Sequence, residues 1–307
     1  MTTTTPTTTS TTTSPAALRT GGILERPVER PLLRTIRRFR RHRMAVIGVV
    51  TILILVILAI IGNEQAALKQ NLAHANEAPS AEFWFGTDRN GRDVFARTLV
   101  GGRVSLAVGL IATVFSTLIG TILGAIAGFY PRADLVIMRV VDIVMSFPTI
   151  VLLLIAVAVL GPGILILMIM IGLITWTIPC RIVRGQFLLL RESDFATAAR
   201  VLGVSDTSIV IRHILPNATA PLLVYASLGV ASAVLLEAGL SYLGLGVQPP
   251  TPSWGNMLNA ARSLSTLERQ PWQWIPPAVF SVVFVLAVNF VGDGLRDALD
   301  PRGSKER

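Results

Sequence analysis

Six long apolar runs alternate with polar segments along this 307-residue chain. An α-helix rises about 1.5 Å per residue, so about 20 apolar residues cross a bilayer core about 30 Å thick. The fourth run is short and ends at Pro179, and only Gly161-Pro162-Gly163 separates it from the third. The pattern predicts an all-α integral membrane protein with six transmembrane helices, at residues 44–62, 104–129, 135–160, 164–178, 218–240 and 275–295.

The polar segments divide the remainder of the chain. The first 15 residues are almost all Thr, Ser and Pro, a composition that cannot bury a core and that indicates a disordered tail. A basic juxtamembrane segment, an extracytoplasmic loop and a five-helix core with one long polar loop follow. The predicted units are the Thr-rich cytoplasmic tail 1–30, the basic segment 31–43, the first transmembrane helix 44–62, the loop 63–102, the core 103–300 containing the polar loop 192–217, and the cytoplasmic tail 301–307.

Composition supports a membrane protein and indicates its orientation. Hydrophobic residues make up 52% of the chain, charged residues 15%, and the mean hydropathy is +0.63. The net charge of +9 does not indicate nucleic-acid binding, because the basic residues lie beside the apolar runs. With a cytoplasmic N-terminus, 20 of the 27 lysines and arginines fall on the cytoplasmic side. This bias predicts a multi-pass membrane protein with both termini in the cytoplasm and membrane lipid around it.

The polar loop 192–217 has the pattern of two short helices in water. Phe195, Ala198, Ala199 and Leu202 fall on one face of the first helix, and Asp194 lies off it. Gly203 stands where a helix C-cap needs positive φ, and Ser205 can cap a second helix that Pro216 interrupts. A ridge of alanines permits close approach of another protein's groove. Packing on the chain's own bundle fits the same periodicity, so the pattern alone leaves both readings open.

The residues of this loop resemble the EAA loop of bacterial ABC importer permeases. The match consists of Thr197-Ala198-Ala199, Gly203, and His213-Ile214-Leu215-Pro216, with Thr197 in place of the family's Glu and His213 in place of its Ile. The resemblance implies the ABC type I importer permease fold, in which this loop is the cytoplasmic coupling helix that docks on an ATPase subunit. The residues it assigns to docking are Asp194, Phe195, Thr197, Ala198, Ala199, Gly203 and Ser205.

Further motifs resemble the oligopeptide/dipeptide/nickel branch of these permeases, and its C-type subunit in particular. They occur in the family's order at Phe85–Asp93, Asp134–Pro148, Glu237–Gly255 and Gly292–Pro301, so the resemblance covers about residues 31–302. It implies a peptide importer of the bacterial inner membrane whose partners are a second homologous permease, two ATPase subunits and an extracytoplasmic substrate-binding protein. Related permeases for nickel, glutathione, opines or haem are the alternative within the branch.

Three charged residues in or near the spans are candidates for the pore or a gate. Asp142 lies one helical turn from Arg139, and the spacing predicts an ion pair between them. Glu237 lies deep in an apolar run, where an ionisable residue is a functional candidate. Its structural alternative is to satisfy backbone groups near the glycines that follow it. Gly120, Gly124 and Gly128 have the spacing that predicts close helix packing, within this chain or against a partner subunit.

The sequence lacks the motifs of the common catalytic and cofactor sites, which favours a protein that is not an enzyme. The chain has no Gly-Lys pair, so it carries no P-loop, and we expect ATP and Mg²⁺ to be bound by the partner ATPase subunits with no cofactor in this chain. A single cysteine, Cys180, and three scattered histidines predict neither an intrachain disulfide nor a metal site. The rival classes are a transporter driven by an ion gradient, for which Glu237 is the one weak candidate, and a scaffold without transport.

Overall fold

The computed structural model describes residues 31–299, with side chains from residue 35 onward. Thus the predicted tails at 1–30 and 301–307 lie outside the described residues. Within this range the regular structure is helical, with one isolated bridge between Thr87 and Asp93. The helices are α1 (Pro31–Arg41), α2 (Arg43–Ile61), α3 (Glu64–Leu68), α4 (Val94–Phe129), α5 (Pro131–Met145), α6 (Thr149–Leu160), α7 (Ile164–Thr175), α8 (Thr177–Leu190), α9 (Asp194–Val201), α10 (Asp206–Ser208), α11 (Leu215–Tyr242), α12 (Trp254–Leu258), α13 (Leu264–Arg269) and α14 (Ile275–Leu299).

Five helical segments are long and apolar enough to cross a membrane. They are Arg43–Ile61, Val94–Phe129, Ile164–Leu190, Asp206–Tyr242 and Ile275–Leu299. Helices α5 and α6 meet the same criteria only as a pair, because they are bent by 86° at a short break. With that pair counted as one span, the described residues contain the six predicted spans.

The third and fourth spans differ from the sequence prediction in shape and length. The run 135–160 is not one straight helix, because Pro148 cannot donate a backbone hydrogen bond and disfavours helical geometry at the residue before it. The fourth span was predicted to end at Ile178, but α8 continues the helical path to Leu190. Pro179 lies in the first turn of α8, where a missing N–H leaves no intrahelical bond unmade.

The glycine seam of α4 packs against α8 of the same chain. A Cβ atom built on Gly120, Gly124 or Gly128 would lie 2.6 Å or less from an atom of α8, either backbone or side chain. Close helix packing is therefore confirmed, and within this chain the seam is covered without a partner subunit. The three glycines let the backbones of α4 and α8 approach each other closely.

The spans place two polar ends at opposite sides of the bundle. One end, here called the α9 end, contains α9, the C-termini of α4 and α8 and the N-terminus of α11, joined by one apolar cluster. The other, the loop end, contains segment 63–93, α12 and α13. There Arg103 donates from Nε to the carbonyl oxygen of Ala59 at 2.6 Å, which satisfies the last turn of α2.

Pro216 does not interrupt the helix that follows the polar loop. A π-helical stretch, Ile209–Ile214, joins α10 to α11, and the three together form one 37-residue span. The proline sits at the start of α11, and the wider turn before it accommodates the missing backbone donor. The polar loop therefore leads into α11 through continuous helix.

Candidate functional site

Helix α9 is anchored to the bundle at its N-terminal side. Arg191 donates from Nη1 to the carbonyl oxygen of Gly128, the last turn of α4, at 3.2 Å. Ser193, the residue before the helix, donates from Oγ to the carbonyl oxygen of Leu190 at 2.6 Å. These bonds join the end of α8, the end of α4 and the start of α9 at one corner.

The inner face of α9 is formed by two alanines. Ala196 is 0% exposed and Ala199 is 9% exposed. Both belong to an apolar cluster with residues of α4, α8, the π-helical stretch and α11, namely Phe129, Val183, Phe187, Ile209, Ile214 and Ala218. The guanidinium carbon of Arg200 lies 5.7 Å from the ring centre of Phe129, which adds a cation–π contact between α9 and α4.

The outer face of α9 is a shallow groove open to solvent. Its lining residues are Asp194, Thr197, Ala198, Val201 and Leu202. Val201 and Leu202 are 83% and 81% exposed, so two large apolar side chains stand uncovered beside two small ones. Isolated exposed apolar residues are ordinary, whereas these two are adjacent and stand at the end of one helix.

The predicted ridge is correct for Ala198 and wrong for Ala199. Sequence reasoning placed both on one exposed face, whereas Ala199 faces the bundle together with Ala196. Phe195 is 41% exposed and remains accessible. The burial of Ala196 was missed, although its spacing from Ala199 is one helical turn. One face of the helix therefore packs on the chain's own bundle, and the other face is exposed to solvent.

Gly203 ends α9 as the sequence predicts. Its φ is +77°, the left-handed region that favours glycine. Gly203 N–H donates to the carbonyl oxygen of Arg200 at 2.9 Å, and Val204 N–H donates to that of Ala199 at 3.1 Å, which is the Schellman pattern. Val204 packs against the same apolar cluster, so the cap also fixes the exit direction of the chain.

Ser205 occupies the predicted N-cap position of α10 without the predicted side-chain bond. Its backbone is extended, and its carbonyl oxygen accepts from Ile209 N–H at 3.0 Å, but its side chain makes no capping hydrogen bond. The side chain is exposed at the α9 end.

Glu237 is buried and connects three elements at the loop end through hydrogen bonds. Its Oε2 accepts from Ser105 Oγ of α4 at 3.0 Å, and its Oε1 accepts from Ser241 Oγ at 2.7 Å and Ser253 Oγ at 2.8 Å. Each serine oxygen in turn accepts a backbone N–H, from Trp254, Val247 and Asn256 respectively. The predicted bonds to backbone near the following glycines are thus wrong, because serine hydroxyls occupy both carboxyl oxygens. Because Glu237 is 0% exposed, its carboxyl group is not accessible to a molecule outside the bundle in this structure.

The predicted pair between Asp142 and Arg139 is also wrong. Asp142 instead accepts from Arg181 Nη2 of α8 at 2.6 Å, with both side chains about half exposed. A second pair that sequence reasoning missed lies deeper: Arg184 donates from Nε and Nη2 to the two carboxylate oxygens of Asp134 at 2.5 and 2.7 Å. The partners are fifty residues apart, so no local spacing could have revealed them. Both pairs fasten α5 to α8.

A cavity of about 600 Å³ opens at the loop end and carries an excess of positive charge. Arg89, Arg92, Arg97 and Arg262 line it, with Asp88 as the one carboxylate among the lining residues. Arg92 Nε donates to Asp88 Oδ2 at 2.7 Å, and Arg97 Nε lies 3.6 Å from the same oxygen. Two nearly buried guanidinium groups therefore share one carboxylate.

Comparisons with known proteins identify the class to which this architecture belongs. Residues 116–305 match the family model of the binding-protein-dependent transport system inner membrane component, and the chain belongs to that family. Residues 31–79 match the N-terminal transmembrane domain of oligopeptide transport permease C, which confirms the predicted branch and subunit type.

Individual relatives have peptide-related names. A putative peptide permease protein of Brucella suis is 49% identical over 76% of this chain and 77% of its own length. A dipeptide transport system permease protein of Alkalihalophilus pseudofirmus is 42% identical, with 76% of each chain covered. A glutathione transport system permease protein of Escherichia coli is 42% identical over 74% of this chain and 75% of its own.

The fold is also found among solved structures. A chain of the MetNI methionine ABC transporter, in inward-facing conformations, aligns with a TM-score of 0.55. The alignment covers 66% of this chain and 97% of that chain at 19% identity. The ABC importer permease fold predicted from the sequence is thereby confirmed.

Proposed function

We propose that this chain is one permease subunit of an ATP-driven importer of peptides, that it forms half of the translocation pore, and that α9 is its coupling helix. The family match and the peptide-related relatives support the class and the cargo. The observation that carries the coupling role is the two-faced geometry of α9, buried on Ala196 and Ala199 and open on Ala198, Val201 and Leu202.

The outer face of α9 suits a groove on a soluble ATPase subunit. Small side chains at Thr197 and Ala198 permit close backbone approach, and Leu202 and Val201 supply apolar area to be buried on docking. Removing one such large apolar side chain from water is worth about 1.5–3 kcal/mol when burial is complete. Asp194 at the first turn adds a charge that is favourable at a helix N-terminus.

The inner face of α9 explains how motion would reach the pore. The apolar cluster beneath it includes residues of α4, α8 and α11, and packed interiors transmit displacement because they do not compress. ATP binding, with Mg²⁺, in the partner subunits would bring the two ATPase chains together and move α9 as a rigid body. The bundle would then alternate between inward-open and outward-open packing, with the second permease subunit forming the other half.

At the opposite end, the arginine-lined cavity suits the docking of an extracytoplasmic substrate-binding protein with acidic surface groups. Arg89 and Arg262 line it and are exposed, so their charge attracts a negative partner over about a Debye length. In this arrangement the α9 end is cytoplasmic, as are both termini, in agreement with the distribution of lysine and arginine.

Replacing Ala198 by arginine tests the docking role. The bulky charge should detach the ATPase subunits in a pull-down from solubilised membranes, while insertion and folding of the permease persist. Ala81→Arg is the matched control, since Ala81 is an exposed alanine at the loop end. If the ATPase subunits remain bound to Ala198→Arg and ATP-dependent peptide uptake continues, α9 is not the docking element.

A cysteine at Ser205 tests the orientation independently. The natural cysteine, Cys180, is buried and contributes little background to labelling with a membrane-impermeant maleimide. We expect Ser205→Cys to react in inside-out vesicles and to stay unlabelled in intact cells. Labelling from the outside of intact cells would reverse the proposed topology.

A further inference from the structure

A second cavity, of about 430 Å³, lies within the membrane-spanning part of the chain. It is bounded by the middle of α4, the start of α6, the junction of α7 with α8, and the middle of α11. The 86° bend between α5 and α6 brings Thr149 and Ile150 to its rim. Six of its lining side chains carry a hydroxyl group, namely Thr113, Ser116, Thr149, Thr175, Tyr225 and Ser232.

The remaining lining residues are aliphatic or glycine, and no lining residue is charged. The three charged candidates from the sequence, Glu237, Asp142 and Arg139, do not line it. A hydroxyl group both donates and accepts hydrogen bonds. The cavity is therefore a neutral surface that can pair with either kind of polar group.

Thr113 is the member with an unmet hydrogen-bonding capacity. Its side chain is 5% exposed, and its Oγ1 has no hydrogen-bond partner. A buried polar group without a partner is costly, so a molecule in the cavity that reached this hydroxyl group would stabilise it. Thr175 donates from Oγ1 to the carbonyl oxygen of Ile171 at 2.7 Å, and Ser232 donates from Oγ to that of Leu228 at 3.3 Å. Their lone pairs remain available to accept.

We infer that the residues lining this cavity form part of the wall of the peptide passage and that their hydroxyl groups bind the backbone amides of the transported peptide. The inference rests on the proposed function, and it adds the surface that the cargo touches. A peptide that leaves water must find partners for its N–H and C=O groups, and these are the groups common to all peptides. An uncharged, hydroxyl-rich wall satisfies them without selecting among side-chain charges.

Thr113 and Thr117 provide a matched pair for the test. Both lie on α4 one turn apart, and both have a buried Oγ1 without a hydrogen-bond partner. Thr113 lines the cavity, and Thr117 does not. Valine replaces a threonine hydroxyl with a methyl group of similar size. The two substitutions therefore make the same change in side-chain shape, and we expect them to affect folding equally.

The assay uses the complete transporter in proteoliposomes with its binding protein, and radiolabelled trialanine as the probe. A photo-cross-linking amino acid replaces Ile150 at the rim, and the assembly is trapped with a non-hydrolysable ATP analogue. We expect trialanine to label position 150, Thr113→Val to reduce the yield about five-fold at subsaturating peptide, and Thr117→Val to leave it unchanged. In the chain with Thr113 intact, an analogue with one amide replaced by an ester should label more weakly than trialanine.

Four outcomes would overturn the inference. Equal losses for the two valine variants would indicate a structural effect of α4. Cross-linking of position 150 to the second permease subunit in place of the peptide would make the cavity a subunit interface. ATP-driven uptake of trialanine without any labelling would remove the passage role while leaving the proposed function intact. A failure of every peptide to be transported would reject the proposed function itself, and this inference with it.

Discussion

Replacing Gly203 by alanine isolates one physical effect at the end of α9. The residue has φ +77°, and no heavy atom lies within 4 Å of the position that a Cβ atom would take. The substitution therefore introduces backbone strain without a steric clash with neighbours. A left-handed residue other than glycine costs about 1–2 kcal/mol.

The net cost is smaller, because alanine also has fewer conformations than glycine when the cap is open. That difference favours the closed cap by about 0.4–1 kcal/mol. The remainder is about 1 kcal/mol, which raises the population of the open cap about five-fold. The amides that report it are those of Gly203 and Val204, which donate to Arg200 and Ala199 in the closed cap.

Hydrogen–deuterium exchange of the assembled or detergent-solubilised protein measures this population. We expect the fragment that spans the end of α9 to exchange about five-fold faster in Gly203→Ala. Gly185→Ala is the control, because Gly185 also has nothing within 4 Å of a Cβ but lies inside α8 with helical geometry. There alanine should slow exchange or leave it unchanged, since it favours a helix by about 0.5–1 kcal/mol over glycine.

Unchanged exchange at the end of α9 in Gly203→Ala would show that the left-handed cap does not hold this helix. The same result would mean that this cap does not contribute to the rigidity of α9. Equal acceleration in both variants would show instead that glycine content, and not the sign of φ, controls opening.

Three further perturbations follow from packing and pairing. Glu237→Ala deletes three hydrogen bonds, each worth about 0.5–3 kcal/mol. It should lower the thermal unfolding temperature more than replacing any one of the three serines by alanine. An equal or smaller decrease would mean that the carboxyl group does not hold the three elements together. Gly124→Val places a Cβ atom 2.5 Å from a backbone oxygen of α8, so we expect loss of folded protein by size-exclusion chromatography, and normal yield would show that α4 can move away. Arg184→Leu breaks a bidentate pair and should destabilise the protein by at least 1 kcal/mol in denaturant titration, whereas Arg181→Leu removes a half-exposed pair worth about 0–1 kcal/mol; equal effects would contradict this ranking.

The sequence was most informative where a pattern repeats locally. Apolar length predicted the spans, and the EAA-like residues located α9 and the positive φ of Gly203, because a helix cap is decided within a few residues. The same local logic failed for Asp142, since a neighbour one turn away is only one of the partners that a folded bundle offers. Arg181 reaches it from α8, a contact that no spacing along α5 could predict.

The sequence by itself determined the class of protein, the number of spans and the position of the polar loop 192–217, because hydrophobic length and end signals act over short stretches of chain. Only the tertiary structure decided which face of α9 is open, how Glu237 is satisfied, and where hydroxyl groups from α4, α6, α7 and α11 meet. Those features depend on which helices pack together and at what angle. The bend at Pro148 is an example of both. The proline predicts a break in the helix, but the 86° angle and the cavity beside it arise from the packing of separate spans.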